Sequence, residues 1–151
     1  MRVVIQRVSK ATLKIDGAMH SEISSGLVVL LGIEHADSQA DVDYLVAKLL
    51  NLRIFNDTER KMNLSLQEIQ GELLIVSQFT LHASTKKGNR PSYIRAARPE
   101  HAIPLYEFFV ASCRKVLPTQ TKTGVFGADM KINLTNVGPV TIILDSKNKE
   151  Y

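Results

Sequence analysis

The chain has 151 residues, 44% of them hydrophobic, and 19 Lys and Arg against 15 Asp and Glu, for a formal net charge of +4. That suits one globular domain over 1–151 with room for a core, and it excludes a disordered, collagen-like or disulfide-stapled chain. Cys113 is the single cysteine, so no internal disulfide can form and a reducing, cytoplasmic setting is expected.

In chain order, "RVVIQRV" (2–8) and "ATLKI" (11–15) read as strands with a short connection. Three apolar residues after Arg2 give way to Gln6 and Arg7, which is too little for a signal peptide. Asp16-Gly17 signals a hairpin, with the returning strand over 19–24. "GLVVLLGIE" (26–34) is a continuous apolar run and reads as a central strand; its apolar stretch is far too short to span a bilayer, so no membrane is expected.

Asp37 or Ser38 can cap a helix whose apolar face is Val42, Leu45, Val46, Leu49 and Leu50. "FNDTERKMN" (55–63) reads as a polar loop. "GELLIVSQFTL" (71–81) reads as a buried strand. A second helix runs from Pro99 to about Leu117, with a buried stripe of Leu105, Phe109, Cys113 and Val116 and a stop at Pro118. Two tail strands, 131–137 and 140–145, flank Gly138-Pro139. The expected class is α+β: a curled, barrel-like, largely antiparallel or mixed sheet with two main helices.

The usual catalytic kits are missing. There is no Walker loop, no dinucleotide fingerprint, no cysteine pair and no His-Glu-x-x-His, so neither a metal nor a cofactor is expected. His20, His35, His82 and His101 are scattered. Cys113 on an apolar stripe reads as inert packing. What stands out is the end of the 71–81 strand. After four apolar residues come Ser77, Gln78 and Thr80, with Phe79 among them. A strand end can turn polar because it is solvated. It can also turn polar because hydroxyl, amide and backbone N–H groups there bind and polarise a carbonyl.

The next segment, "STKKGNRPSYIRAARP" (84–99), holds Lys86, Lys87, Arg90, Arg95 and Arg98 and no acid. It reads as a basic loop, with Tyr93 able to stack on a base. Beside an uncharged polar site, it suits a phosphate-bearing substrate larger than the site itself.

"SQFTLHA" (77–83) and "TNVGPVT" (135–141) resemble the two signature motifs of the D-aminoacyl-tRNA deacylases. "MRVVIQRVSKATL", "GNRPSY" and "GVFGADM" (124–130) are similar to that family too, so the resemblance covers residues 1 to about 145. His82 stands at the expected site rim, where a small residue such as Ala is expected. The resemblance implies a homodimeric hydrolase that cleaves the ester between a D-amino acid and the 3′ end of tRNA, at a site on the subunit interface. Ser77, Gln78, Phe79 and Thr80 would form the catalytic pocket of one subunit. Gly138 and Pro139, joined by a cis peptide, would enter it from the other. Phe126 and Met130 of "GVFGADM" would bind substrate, and Lys86, Lys87 and Arg90 would contact tRNA.

On chemistry, two routes are open: Thr80 as a nucleophile, which needs a base beside it, or water attack aided by the 2′-hydroxyl of the terminal ribose. Selection by collision of an L side chain with Gly138-Pro139 implies that glycyl-tRNA is also cleaved. The rival readings are a non-catalytic nucleic-acid-binding module using the same basic loop and Tyr93, and an esterase for small substrates.

Overall fold

The computed structural model describes residues 1–150. Its centre is one long strand, β1 (Arg2–Ile15). A two-residue turn at Asp16-Gly17, both in the left-handed region, leads into β2 (Ala18–Ile23), antiparallel to the second half of β1. β3 (Gly26–Gly32) is antiparallel to the first half. The predicted strands 2–8 and 11–15 are thus one element. β1 spans two neighbours in succession, and register shifts between residues 6 and 10 let it bend from one to the other.

Helix α1 (Gln39–Asn51) follows β3. Ser38 is its N-cap, and the Asp41 carboxylate accepts from the Ser38 backbone N–H at 2.8 Å. The region predicted as a loop over 55–63 instead forms a small hairpin, β4 (Phe55–Asn56) with β5 (Met62–Leu64). The polar stretch between them supplies its turn, in which Asp57 accepts from the N–H groups of Glu59 and Lys61. β6 (Glu72–Ser77) then runs parallel to β3, residue for residue from Gly26↔Glu72 to Leu31↔Ser77.

Helix α2 (Pro99–Val116) leads to β7 (Thr121–Thr123), a short strand parallel to β6 that the sequence reading did not include. Val116 does not belong to the buried stripe: it is 45% exposed, and Leu117, one position on, turns inward instead. Last comes β8 (Met130–Asp145), antiparallel to β1 on both sides of a break at residues 137–140. It is one strand, not two. Ser21 Oγ on β2 donates to the Thr123 carbonyl of β7 at 2.7 Å, drawing the sheet toward closure. The architecture is α+β, with a mixed, curled sheet and two helices.

β3 and β6 are apolar on both faces because both faces are covered. Leu27, Val29, Leu31, Leu73 and Ile75 meet Leu45, Leu49, Leu105 and Phe109 of the helices. Val28, Leu74 and Val76 point the other way, into a second cluster with Val8, Ala11, Leu13 and Ile23 inside the curl. Each such side chain contributes roughly 1.5–3 kcal/mol on burial. Among the described residues no helix is long and apolar enough to cross a membrane.

A polar network ties the chain ends to this core. The Met1 ammonium is ion-paired with Asp37, and both groups are fully buried. Arg2 Nη2 meets Asp145 at 2.8 Å, and Lys147 meets Asp41 at 2.8 Å. Burial pushes the Asp41 carboxyl up, but the Lys147 ammonium and the donors of Ser146 and Ser38 outweigh it and hold it well below the usual carboxylate range. At Asp145, burial is likewise outweighed, here by the Lys147 backbone N–H and the Arg2 guanidinium.

Because both folded values lie below the unfolded value of about 3.9, their contribution is complete above that pH and is lost as the pH falls through the folded values. We expect the denaturant midpoint to hold from pH 7 to about 5 and then decline from about 4 downward. An Asp145→Asn variant should start lower at pH 7 and show a shallower acid decline; an identical decline in both proteins would remove Asp145 from this account.

Candidate active site

β6 ends at Ser77, short of the predicted 71–81, because the chain coils into a single 3-10 turn over Phe79–His82. Two contacts set that turn against β3. Gln78 N–H donates to the Leu31 carbonyl at 2.8 Å. Gly32 lies directly beneath the turn. A Cβ there would be 2.9 Å from Leu81 Cβ and 3.1 Å from both Gln78 O and His82 Cδ2, so only a bare backbone permits the approach. Arg2 Nη1 holds the far end through the Leu81 carbonyl at 2.9 Å.

Beside the turn opens a cavity of about 270 Å³. Ser77, Gln78 and Phe79 line its mouth, Phe126 and Met130 line another side, and Leu31, Ile33, Val76, Ala97, Ala102 and Ile132 form the apolar remainder. No charged side chain lines it. The Tyr106 hydroxyl donates to the Ile75 carbonyl at 3.1 Å, and its ring meets Phe126 edge-on at 5.9 Å, which braces that wall. Burial pushes the Tyr106 hydroxyl up to about 12, so it remains a donor.

Thr80 lies next to the mouth without lining the cavity. Its hydroxyl oxygen accepts from the Gln78 side-chain amide. The bonds of the turn begin with Leu81 N–H to Gln78 O, leaving the N–H groups of Phe79 and Thr80 outside that ladder. Phe79 is 56% exposed and packs edge-on against Tyr93 at 5.0 Å. His82 is buried and faces inward, so it does not set the polarity of the rim. Neither of its ring nitrogens has a hydrogen-bond partner among the described residues, so it is not joined to Thr80 as a base. Burial pushes the Cys113 thiol up to about 12, which fits inert packing.

Gly138 and Pro139 are brought elsewhere. On β1, Gln6 pairs with Thr141 and Val8 with Asn136, so Arg7 alone faces the four residues 137–140, which loop out of the sheet. The Gly138-Pro139 peptide is cis, and Gly138 sits at φ +119°. Asn136 Nδ2 bonds Thr141 Oγ1 at 3.0 Å, and Asn136 Oδ1 accepts from Val140 N–H at 2.9 Å, pinching the base of the loop. Both Gly138 and Pro139 are exposed, and neither lines the cavity of its own chain.

Arg7 supports this protrusion, and the sequence reading passed over it. Its Nε donates to the Val137 carbonyl at 3.2 Å and its Nη1 to the Ile54 carbonyl. A signal for it existed: Arg7 shares its strand face with Val3 and Ile5, where an apolar residue is expected.

Lys86, Lys87 and Arg90 are exposed on a loop closed by paired backbone bonds between Ser84 and Ser92 (2.8 and 2.9 Å). Tyr93, just past that closure, links the loop to the site through Phe79. Arg95 is drawn back onto Glu34 at 2.9 Å. Among the described residues no three His, Cys, Asp or Glu side chains gather as metal ligands would.

The site is thus an apolar cavity on a curled α+β sheet, with uncharged polar groups at its mouth and no charged residue in its lining. The comparisons give the family to which a chain with this cavity belongs. The model of the D-Tyr-tRNA(Tyr) deacylase family matches residues 4–145. A D-aminoacyl-tRNA deacylase of Cytophaga hutchinsonii is 62% identical, and one of Flavobacterium johnsoniae 57% identical; each alignment covers 99% of this chain and 100% of the relative. The solved structure of a c-Myc DNA Unwinding Element Binding Protein is 41% identical with a TM-score of 0.92, covering 96% of this chain and 98% of that one. The chain belongs to the D-Tyr-tRNA(Tyr) deacylase family of ester hydrolases.

Replacing Arg7 by Ala leaves the Val137 and Ile54 carbonyls without their donor, a cost of about 1–3 kcal/mol in a denaturant melt. Faster hydrogen exchange at the Val140 amide should accompany it. Exchange at the parent rate would mean that Asn136 and Thr141 hold the loop unaided.

Proposed function

We propose that the protein hydrolyses the ester linking a D-amino acid to the 3′ end of tRNA, releasing both. It does so as one domain over 1–151, a cytoplasmic homodimer without a cofactor. The observation that carries this reading is the uncharged mouth at Ser77, Gln78 and Phe79, with Thr80 beside it, in a chain of the deacylase family. The substrate needs a carbonyl held and polarised, and these groups do that without titrating.

The ester seats at the mouth, with Phe126 and Met130 against it. Backbone N–H groups of Phe79 and Thr80 face the developing oxyanion. Water, oriented by the 2′-hydroxyl of the terminal ribose, is the nucleophile. In support, Thr80 has no base joined to its hydroxyl, and Gln78 already occupies one side of that oxygen. We expect Thr80→Ala to keep substantial deacylation, and removal of the substrate's 2′-hydroxyl to be the more damaging change. Activity lost by several orders of magnitude in Thr80→Ala, together with an acyl-enzyme trapped in the parent, would make Thr80 the nucleophile.

Chirality is read by a partner subunit. Gly138-Pro139 stands out from its own sheet and misses its own cavity, as expected of a segment that completes a site on another chain. Their carbonyls take the substrate ammonium, an L side chain collides with the loop, and a D side chain points away from it. Lys86, Lys87 and Arg90 contact tRNA phosphates, and Tyr93 supports the mouth.

A second reading has one observation in its favour. The 41%-identical solved structure is that of a DNA-element-binding protein, and a basic loop of this kind suits nucleic-acid binding without chemistry. One assay separates the two and tests the selection rule. On one tRNA body, D-tyrosyl, D-alanyl and glycyl esters should be released rapidly, and L-tyrosyl and L-alanyl esters should not. Release of none would leave only binding. Glycyl turnover as slow as L-alanyl would mean that the D side chain is recognised directly, since a pocket worth only about 1–3 kcal/mol per methyl would then be setting the rate.

A further inference from the structure

Outside the site, one group of cations is paired with no carboxylate, although Arg53 in it also donates through Nε to the Asn63 carbonyl of β5 at 2.8 Å. Lys48 Nζ and Lys149 Nζ converge on a single ring, that of Tyr44, at 5.9 and 4.5 Å from its centroid. Tyr44 and Lys48 come from α1 and Lys149 from the C-terminal segment, 149 residues into the chain. Arg53, just beyond the end of α1, shares a surface cleft with Tyr44, Lys48, Asn51 and Leu52. None of the three cations has a carboxylate within ion-pair distance among the described residues. The ring face attracts each ammonium, but two like charges on one ring repel each other, and an anion between them is the counter-charge the arrangement favours.

The group also lies on a path from the site. The basic loop leads through Tyr93 to Arg95, which is held by Glu34 at 2.9 Å. Glu34 N–H is bonded to Asp37 at 2.8 Å, and Asp37 and Asp41 at the start of α1 hold Lys147. These three acids are nearly buried and committed to their partners; the outward cations of the path are Arg95 and Lys147, and Asp43 on α1 is the exposed acid beside them. From Asp41, Lys48 is two turns further along α1, about 10 Å away, and Arg53 lies just past the end of that helix.

We propose that Lys48, Arg53 and Lys149 form a second phosphate-binding surface, which engages the RNA backbone beyond the 3′ end held at the site. Cations grouped on α1, on the segment after it and on the C-terminal segment, at the end of a path from the site, suit successive phosphates of a polyanion. The inference rests on the tRNA reading above.

The test compares a full-length D-aminoacyl-tRNA with a D-aminoacylated trinucleotide of the same 3′ sequence. The variant Lys48→Ala/Arg53→Ala/Lys149→Ala should raise KM for the tRNA several-fold and flatten the log–log salt dependence by up to about 2–3 units. It should leave kcat, and all turnover of the trinucleotide, at the parent level. The charge-retaining variant Lys48→Arg/Lys149→Arg should behave as the parent. Removing Lys86, Lys87 and Arg90 should flatten the same slope, which calibrates the effect. An unchanged slope and KM in the triple variant would overturn the proposal and leave an acidic protein as the surface's partner. Equal losses on tRNA and trinucleotide would overturn it too, by showing a structural role. If the parent deacylates neither substrate, the catalytic reading fails separately; equilibrium binding of uncharged tRNA against the trinucleotide then still decides whether this surface takes phosphates.

Discussion

Most of the structure hangs on the parallel pairing of β3 with β6. The two strands are in register from Gly26↔Glu72 to Leu31↔Ser77, and the pair is buried on both faces. Helices pack on one side and the interior of the curl on the other, so the pair cannot slip by one residue without exchanging its two apolar sets. The last rung of that register sets Ser77, and one bond from Gln78 to the Leu31 carbonyl continues it into the 3-10 turn. Site geometry is therefore inherited from core packing. The polar groups at the mouth need no charge network of their own, because the backbone that carries them is already fixed.

Gly32 and Arg7 extend that rigidity in two directions. Gly32 lets the turn descend onto β3 closely enough for Leu81 and His82 to pack over it. Arg7 does the opposite on β1: it is a large cation on an inward strand position, and it holds a stretch of β8 away from the sheet. One strand face thus carries Val3 and Ile5 into the core and then Arg7 out to the base of a protrusion. A bulge that redirects a few residues beside a functional region is a common use of such irregularities. Here the residues redirected are the ones that the proposed mechanism needs on a neighbouring subunit.

Charge is arranged so that the site itself stays neutral. Acids cluster at the chain ends and at the start of α1, where Asp37, Asp41 and Asp145 are matched by the Met1 ammonium, Lys147 and Arg2. Unmatched cations lie on the 84–90 loop and around Tyr44. On the proposed mechanism, a long anionic substrate is attracted at a distance while its reacting ester sits among groups that do not titrate.

By itself, the sequence determined the class of fold, the two helices and the apolar central strands, and it marked Ser77–Thr80 as a polar strand end, because hydrophobic period and cap or turn residues are local signals. It misplaced what depends on distant partners. Residues 2–15 are one strand because β3, β2 and β8 all pair with it, and β7 exists only because β6 offers an edge. Gly138-Pro139 reads locally as a turn between two strands. It becomes a bulge within one strand because β1 pairs with β8 on both sides of it. Val116 and Leu117 exchange roles at a helix end, where the phase of the helix is lost. The inward placing of His82 and the hold of Arg7 on Val137 were decided by the tertiary structure alone. Both rest on contacts between residues from about 50 to 130 positions apart, and no local pattern encodes such a contact.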